Sequence, residues 1–138
     1  MPKLLAIDYG SKRIGLAVAD TTLRIAMPYK TVQGRNDVTR DARTISDLAQ
    51  AESVDELIVG LPLNMNGSDS AQTEICRRFA AELARLSKKL VHLQDERLTS
   101  FAADEVLDEA EIPARERKDL RDKLAAQRIL QAYLELMD

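Results

Sequence analysis

Leu4-Leu5-Ala6-Ile7-Asp8-Tyr9-Gly10, then Ser11-Lys12-Arg13, then Ile14-Gly15-Leu16-Ala17-Val18-Ala19-Asp20 is the stretch on which the fold turns. Two apolar runs of strand length are joined by Gly10-Ser11-Lys12-Arg13, which reads as a β-hairpin with Gly10 free to take positive φ. The first run carries a lone carboxylate, Asp8. Burying an unpaired charge is costly, so a carboxylate in a buried strand needs a hydrogen-bond network, a cationic side chain or a metal ion. Asp8 is therefore the first functional question the chain raises.

Working outward, residues 24–33 read as a third strand, and Pro28 places it at an edge or a bulge. Three strands with short connections make an antiparallel meander. A helix is predicted from 37 to 51, capped by Asn36 or Asp37, with Val38, Ala42, Ile45, Leu48 and Ala49 at helical spacing. Leu57-Ile58-Val59-Gly60-Leu61 is a buried strand ended by Pro62. The loop 62–69 leads into a helix over 70–87, striped by Ile75, Phe79, Leu83 and Leu86. Leu90–Gln94 is a fifth strand ending at Asp95-Glu96-Arg97. A helix from Thr99 to Glu109, a break at Pro113 and a last helix over 118–137 complete the chain.

The order is βββαβαβα, with the last α split. Strand–helix–strand crossovers require parallel neighbours and right-handed connections. The expectation is an α/β fold with a mixed five-stranded sheet. Its first three strands are antiparallel, the rest parallel, and helices cover both faces of a single domain over residues 1–138. Ligands gather beyond the carboxyl ends of parallel strands, where Asp8, Leu61-Pro62 and Asp95-Glu96 all fall.

Composition narrows the chemistry. Aromatic residues make up only 4% with no Trp, which argues against a stacking platform for single strands. One cysteine, Cys76, leaves no internal disulfide and no cysteine-based zinc cluster, and reads as a small apolar helix residue. There is no membrane-length apolar run and no signal-peptide pattern, so a cytoplasmic location away from membranes is expected. The net charge is −3, yet residues 1–45 hold Lys3, Lys12, Arg13, Arg24, Lys30, Arg35, Arg40 and Arg43 against four acids. Arg115, Arg117, Lys118, Arg121 and Lys123 open the last helix. Such runs are either solvated faces or phosphate-binding surfaces.

In the last helix Ala126, Ile129, Leu130, Tyr133, Leu134 and Met137 form the apolar stripe. Asp122 falls on that core-facing side, and Asp119 lies near it, so periodicity leaves both open. Asp8, Glu96 or Asp95, and Asp122 thus come together from three elements. Converging carboxylates raise one another's pKa unless a cation neutralises them, and hard oxygen donors select Mg²⁺ or Mn²⁺ over zinc. His92, the only histidine, alternates within a strand and reads as structural, which also leaves serine catalysis without its base.

With these residues in place the chain resembles, from end to end, the YqgF family, also called RuvX, of the RNase H-like superfamily. The resemblance is carried by Ala6–Ala17, Ile58–Ser68, Asp95–Ser100 and Asp122–Leu130. It implies an RNase H-like fold and a divalent-metal nuclease acting on RNA or DNA, in Holliday junction resolution or in maturing the 5′ end of pre-16S rRNA. By position, the family's catalytic and metal-binding acids fall on Asp8, Glu96 and Asp122, with Asp95 as a further candidate ligand and two Mg²⁺ or Mn²⁺ ions as cofactor. Lys12, Arg13, Asn64, Asn66 and Arg97 are the candidate nucleic-acid contacts. Ser70 and Gln72 stand where relatives often carry glycine, and Lys123 where relatives often have a small or apolar residue. A junction resolvase cuts symmetrically as a two-fold dimer, so a homodimer is a candidate assembly, although no segment of the sequence declares itself an interface. The rival readings are a non-catalytic nucleic-acid-binding protein of the same fold and an actin-like ATP-binding fragment; the latter needs a second domain for which 138 residues leave no room.

Overall fold

A computed structural model describes residues 2–97 and 113–137, without the side chains of Ala114, Arg115 and Asp119. The helix expected from Thr99 to Glu109 lies outside the described residues. Five strands, β1 (Lys3–Tyr9), β2 (Arg13–Asp20), β3 (Met27–Gln33), β4 (Glu56–Leu61) and β5 (Leu90–Asp95), form one sheet in the order β3-β2-β1-β4-β5. β1, β2 and β3 pair antiparallel, whereas β4 runs parallel to both β1 and β5. Helices α1 (Val38–Ala51), α2 (Ala71–Ser87) and α3 (Ala114–Leu136) cover the faces.

Period-two alternation in β1 sorts the two faces. Leu5, Ile7 and Tyr9 join Ile14, Leu16, Ile45, Phe79 and Leu83 in a core of large side chains beneath α1 and α2. Leu4 and Ala6 point the other way and join Ala17, Ala19, Ile58, Ile129, Leu130 and Leu134 beneath α3. Asp8 continues this second row. The small residues there let α3 come close to the sheet.

Three local features differ from the sequence expectation. The third strand starts at Met27 rather than at 24, because residues 21–24 form a turn in which Asp20 Oδ1 accepts the Thr22 and Leu23 N–H groups and Arg24 takes φ 56°. Pro28 does sit on an edge strand, beside a register shift between Leu16 and Ala17. The last helix starts at Ala114, directly after an extended Pro113, and not at 118. Proline cannot continue a helix N-terminally but readily precedes one. Gly10 does not take positive φ; a side chain there would meet the Arg13 carbonyl oxygen at 2.6 Å.

α1 is capped by Asp37, whose carboxylate accepts the Arg40 N–H at 3.0 Å. α2 opens on a reciprocal Ser70–Thr73 capping box, and the Thr73 hydroxyl also donates to the Pro62 carbonyl, tying the loop after β4 to the helix. No described helix is long and apolar enough to cross a membrane.

Candidate functional site

Asp8 lies one residue before the carboxyl end of β1, directly opposite Gly15 of β2. The β1–β4 register ends at Ile7 opposite Val59, which brings Gly60 alongside it on the other flank. Both glycines mark close approaches. A Cβ at Gly15 would sit 2.0 Å from the Asp122 carbonyl oxygen, so α3 lies directly on β2 here. A Cβ at Gly60 would sit 2.9 Å from Glu96 Oε2 and 2.4 Å from Ile129 Cδ1. Glycine in these strands is thus needed for room, and an isolated mid-strand glycine is the sequence signal for such an approach.

Glu96 follows the end of β5, with its N–H on the Leu61 carbonyl at 3.2 Å. The Asp8 carboxyl is pushed up to about 6, first by burial and then by the negative charge of Asp122. The Glu96 carboxyl is pushed up to about 7 by burial, then by Asp8, then by Asp95. Asp8 is therefore electrostatically coupled to both other acids. Asp122 Oδ2 accepts Arg13 Nε at 2.7 Å, an ion pair joining the β1–β2 turn to α3 across 109 residues of sequence.

The remaining candidates are more tightly engaged than the sequence alone suggests. Asp95 is gripped by Arg97, whose Nη2 lies 2.7 Å from Oδ2, and that cation holds its carboxyl below the usual range. Arg97 also donates to the Met65 carbonyl at 3.4 Å and lies against Gly67, which takes φ 88°. It braces the loop after β4 against the end of β5. Asn64 donates to the Ser68 hydroxyl at 3.0 Å, and Asn66 Oδ1 accepts the Ser68 N–H at 3.0 Å, so both asparagines shape that loop. Lys12 is exposed at the tip of the hairpin.

Sequence reasoning missed Gln72, whose amide donates to the Tyr9 carbonyl at 3.1 Å and anchors α2 beside Asp8. It also missed the Arg13–Asp122 pair. Cys76 is buried, with its thiol raised by burial, and His92 binds Glu56 at 2.7 Å beside Tyr133. His92 lies apart from the acidic group, whereas the charges of Glu96 and Asp8 add to the burial that raises the Cys76 thiol.

The profile of the RuvX family, described as Holliday junction resolvase, matches residues 2–136. The chain belongs to the RuvX family. A Maridesulfovibrio salexigens protein named "Putative pre-16S rRNA nuclease" is 41% identical, over 96% of this chain and 97% of that one. An Endomicrobium trichonymphae protein of the same name is 39% identical, over 99% and 97%. Among solved structures, Thermus thermophilus RuvC in complex with a Holliday junction substrate superposes with a TM-score of 0.59, covering 97% of this chain and 94% of that one. At 12% identity this likeness concerns the fold, which is RNase H-like.

The family and the RuvC-like fold point to a divalent cation. Among the described residues no three His, Cys, Asp or Glu side chains are gathered into a ready metal cage. The donor chemistry nonetheless fits one: the three acids offer only hard oxygens, and two of them are raised by burial and by their neighbours' negative charge. A cation between them relieves both effects.

Proposed function

We propose that this RuvX chain hydrolyses phosphodiester bonds of structured nucleic acid with Asp8, Glu96 and Asp122 as its catalytic and metal-holding acids. One observation carries the reading: three acids from β1, the end of β5 and α3 share the carboxyl edge of the sheet, and Asp8 is coupled to the other two. The relatives' names favour pre-16S rRNA over a four-way junction as the substrate, and 5′-end processing is the step we assign to it.

Asp8, Glu96 and Asp122 would hold Mg²⁺ or Mn²⁺, with Asp95 kept on Arg97. Bound there, a pair of such ions supplies Lewis-acid stabilisation of the charge that develops on the phosphoryl group and its leaving oxygen. The chain's own residues supply placement. Gly15 and Gly60, flanking Asp8, leave room for the Asp122 backbone and for Glu96 to approach, and Gln72 fixes the strand end that carries Asp8. Arg13 stands at the rim, where a guanidinium suits a phosphate flanking the scissile bond.

The test is cleavage of a pre-16S rRNA fragment, a four-way DNA junction and single-stranded DNA with Mg²⁺ or Mn²⁺, by the unmodified protein and by Asp8→Asn. Metal-dependent cleavage of the rRNA fragment, lost in the folded variant, is the expected result. Equal cleavage by Asp8→Asn overturns the assignment of the acids, and preference for the junction overturns the substrate.

A further inference from the structure

Folding sorts the eight basic residues of the first 45 positions into two groups. Lys3 pairs with Glu52 at 3.7 Å, Arg13 with Asp122 at 2.7 Å, Arg24 donates to the Leu134 carbonyl at 2.7 Å, and Lys30 lies over the Tyr29 ring at 5.2 Å. Lys12, Arg35, Arg40 and Arg43 are exposed and form no side-chain ion pair among the described residues. These four lie together although they come from different elements. The Gly34 N–H donates to the Lys12 carbonyl at 2.8 Å and the Asn36 N–H to the Ser11 carbonyl at 3.1 Å, which lays the loop before α1 on the hairpin turn.

Buried Asp41 fixes the loop from beneath, accepting the Tyr9 hydroxyl at 2.6 Å and the Arg35 N–H at 2.9 Å. Arg40 and Arg43 are three residues apart on one face of α1 and, with Arg35, rim a hollow of about 270 Å³. A neighbouring hollow of about 330 Å³ runs from Ser11 to Arg78 of α2, a fifth exposed cation without an ion pair among the described residues. Asp47 lies in the first hollow, while Asp37 is occupied as the α1 cap. Cations therefore run from the hairpin beside Asp8 onto the flanks of α1 and α2. The whole chain carries −3, so a polyanion is repelled overall and must be met by a local positive surface.

We propose that Lys12, Arg35, Arg40, Arg43 and Arg78 form a track for the phosphate backbone of nucleic acid, holding the strand as it leaves the acidic site. This rests on the nuclease reading above. Arginine forks match phosphate oxygens two at a time. Tyr9, the aromatic residue lining the second hollow, is buried and stacked on Phe79 and offers no face to a base, so the track grips backbone and reads no sequence. Val38 and Ile75, the apolar residues beside it, pack into the core beneath α1 and α2, unlike the exposed apolar face of a membrane-binding surface.

The experiment is fluorescence anisotropy in EDTA, where no cleavage occurs, with a labelled RNA hairpin bearing a single-stranded 5′ extension. Arg35, Arg40 and Arg43 are reversed together to Glu, with a triple Arg→Gln version in case the reversal misfolds. A control reverses Arg85, Lys88 and Lys89, at the far end of α2. The track variants lose at least about tenfold in affinity at low salt, and the plot of log K against log salt flattens by about 2 to 3, whereas the control keeps its slope. An unchanged slope, or equal weakening in the control, overturns the track. Failure of the unmodified protein to bind overturns the track and the nuclease reading together. Slope-dependent binding without any metal-dependent cleavage overturns only the nuclease reading and supports the track.

Discussion

Asp8 and Tyr9 are neighbours in β1, yet they serve opposite faces of the sheet. Beneath α1 and α2 the face is made of large side chains; Tyr9 stacks on Phe79 at 4.1 Å between ring centroids and its hydroxyl satisfies buried Asp41. Beneath α3 the face sets Leu4 and Ile58 beside Ala6, Ala17 and Ala19 and ends at the Asp8 carboxylate, which accepts no hydrogen bond among the described residues and is pushed up to about 6. Buried Asp41 is thus satisfied by donors, while half-buried Asp8 is held against the charge of Asp122. The first face supplies stability, and on the proposed reading the second gives some of it up to hold the acidic site.

This contrast can be broken experimentally. Phe79→Ala removes the largest fully buried side chain among the described residues and should cost about 3–5 kcal/mol in a denaturant melt, while cleavage per folded molecule is kept. A substitution in the apolar core beneath α1 and α2 that abolished cleavage without unfolding would contradict the division.

Next in size is the effect of pH. Asp8 and Glu96 have folded-state pKa values of about 6 and about 7, above their ordinary values of 3.8 and 4.5. Between pH 4 and 7 the unfolded chain releases protons that the folded protein keeps, so stability falls as pH rises through that window. For each acid taken singly the loss is on the order of 3 kcal/mol in EDTA, and Mg²⁺ or Mn²⁺ should flatten it. Stability that rises with pH over the same range would show that these acids are not burdened.

Gly15→Ala places a methyl group against the α3 backbone at Asp122 and should cost about 1–3 kcal/mol. Because α3 then shifts relative to Asp8, cleavage should fall by more than the loss of folded protein explains. Arg13→Gln is the smallest perturbation. Its pair with Asp122 is 42% exposed on the arginine side, so stability in a denaturant melt should move by less than about 1 kcal/mol.

The strands and the parallel crossovers were legible in the sequence because apolar runs of five to eight residues stand between clear turn and cap signals. Asp8 stood out because it interrupts such a run, whereas position left Asp95 open beside Glu96 and periodicity left Asp119 open beside Asp122; the family resemblance chose between them. What could not be read depends on contacts between distant residues. No local pattern joins Arg13 to Asp122, and nothing near Arg97 says that it is spent on Asp95 and on the loop at Met65. Gly15 and Gly60 did carry a signal, a glycine inside a strand, but its cause lies in α3 and Glu96. The turn over 21–24 hid within an apolar stretch because Leu23 and Ile25 are exposed there, at 71% and 58%, against the usual preference.

The central claim is that Asp8 is a destabilising charge kept for a cation. Thermal melts of the unmodified protein and of Asp8→Asn, with and without Mn²⁺ at pH 8, test it most directly. In EDTA the variant should melt higher than the unmodified protein; Mn²⁺ should raise the melting temperature of the unmodified protein and leave the variant where it was. A variant that melts lower in EDTA, or that gains as much from Mn²⁺ as the unmodified protein, would contradict the claim.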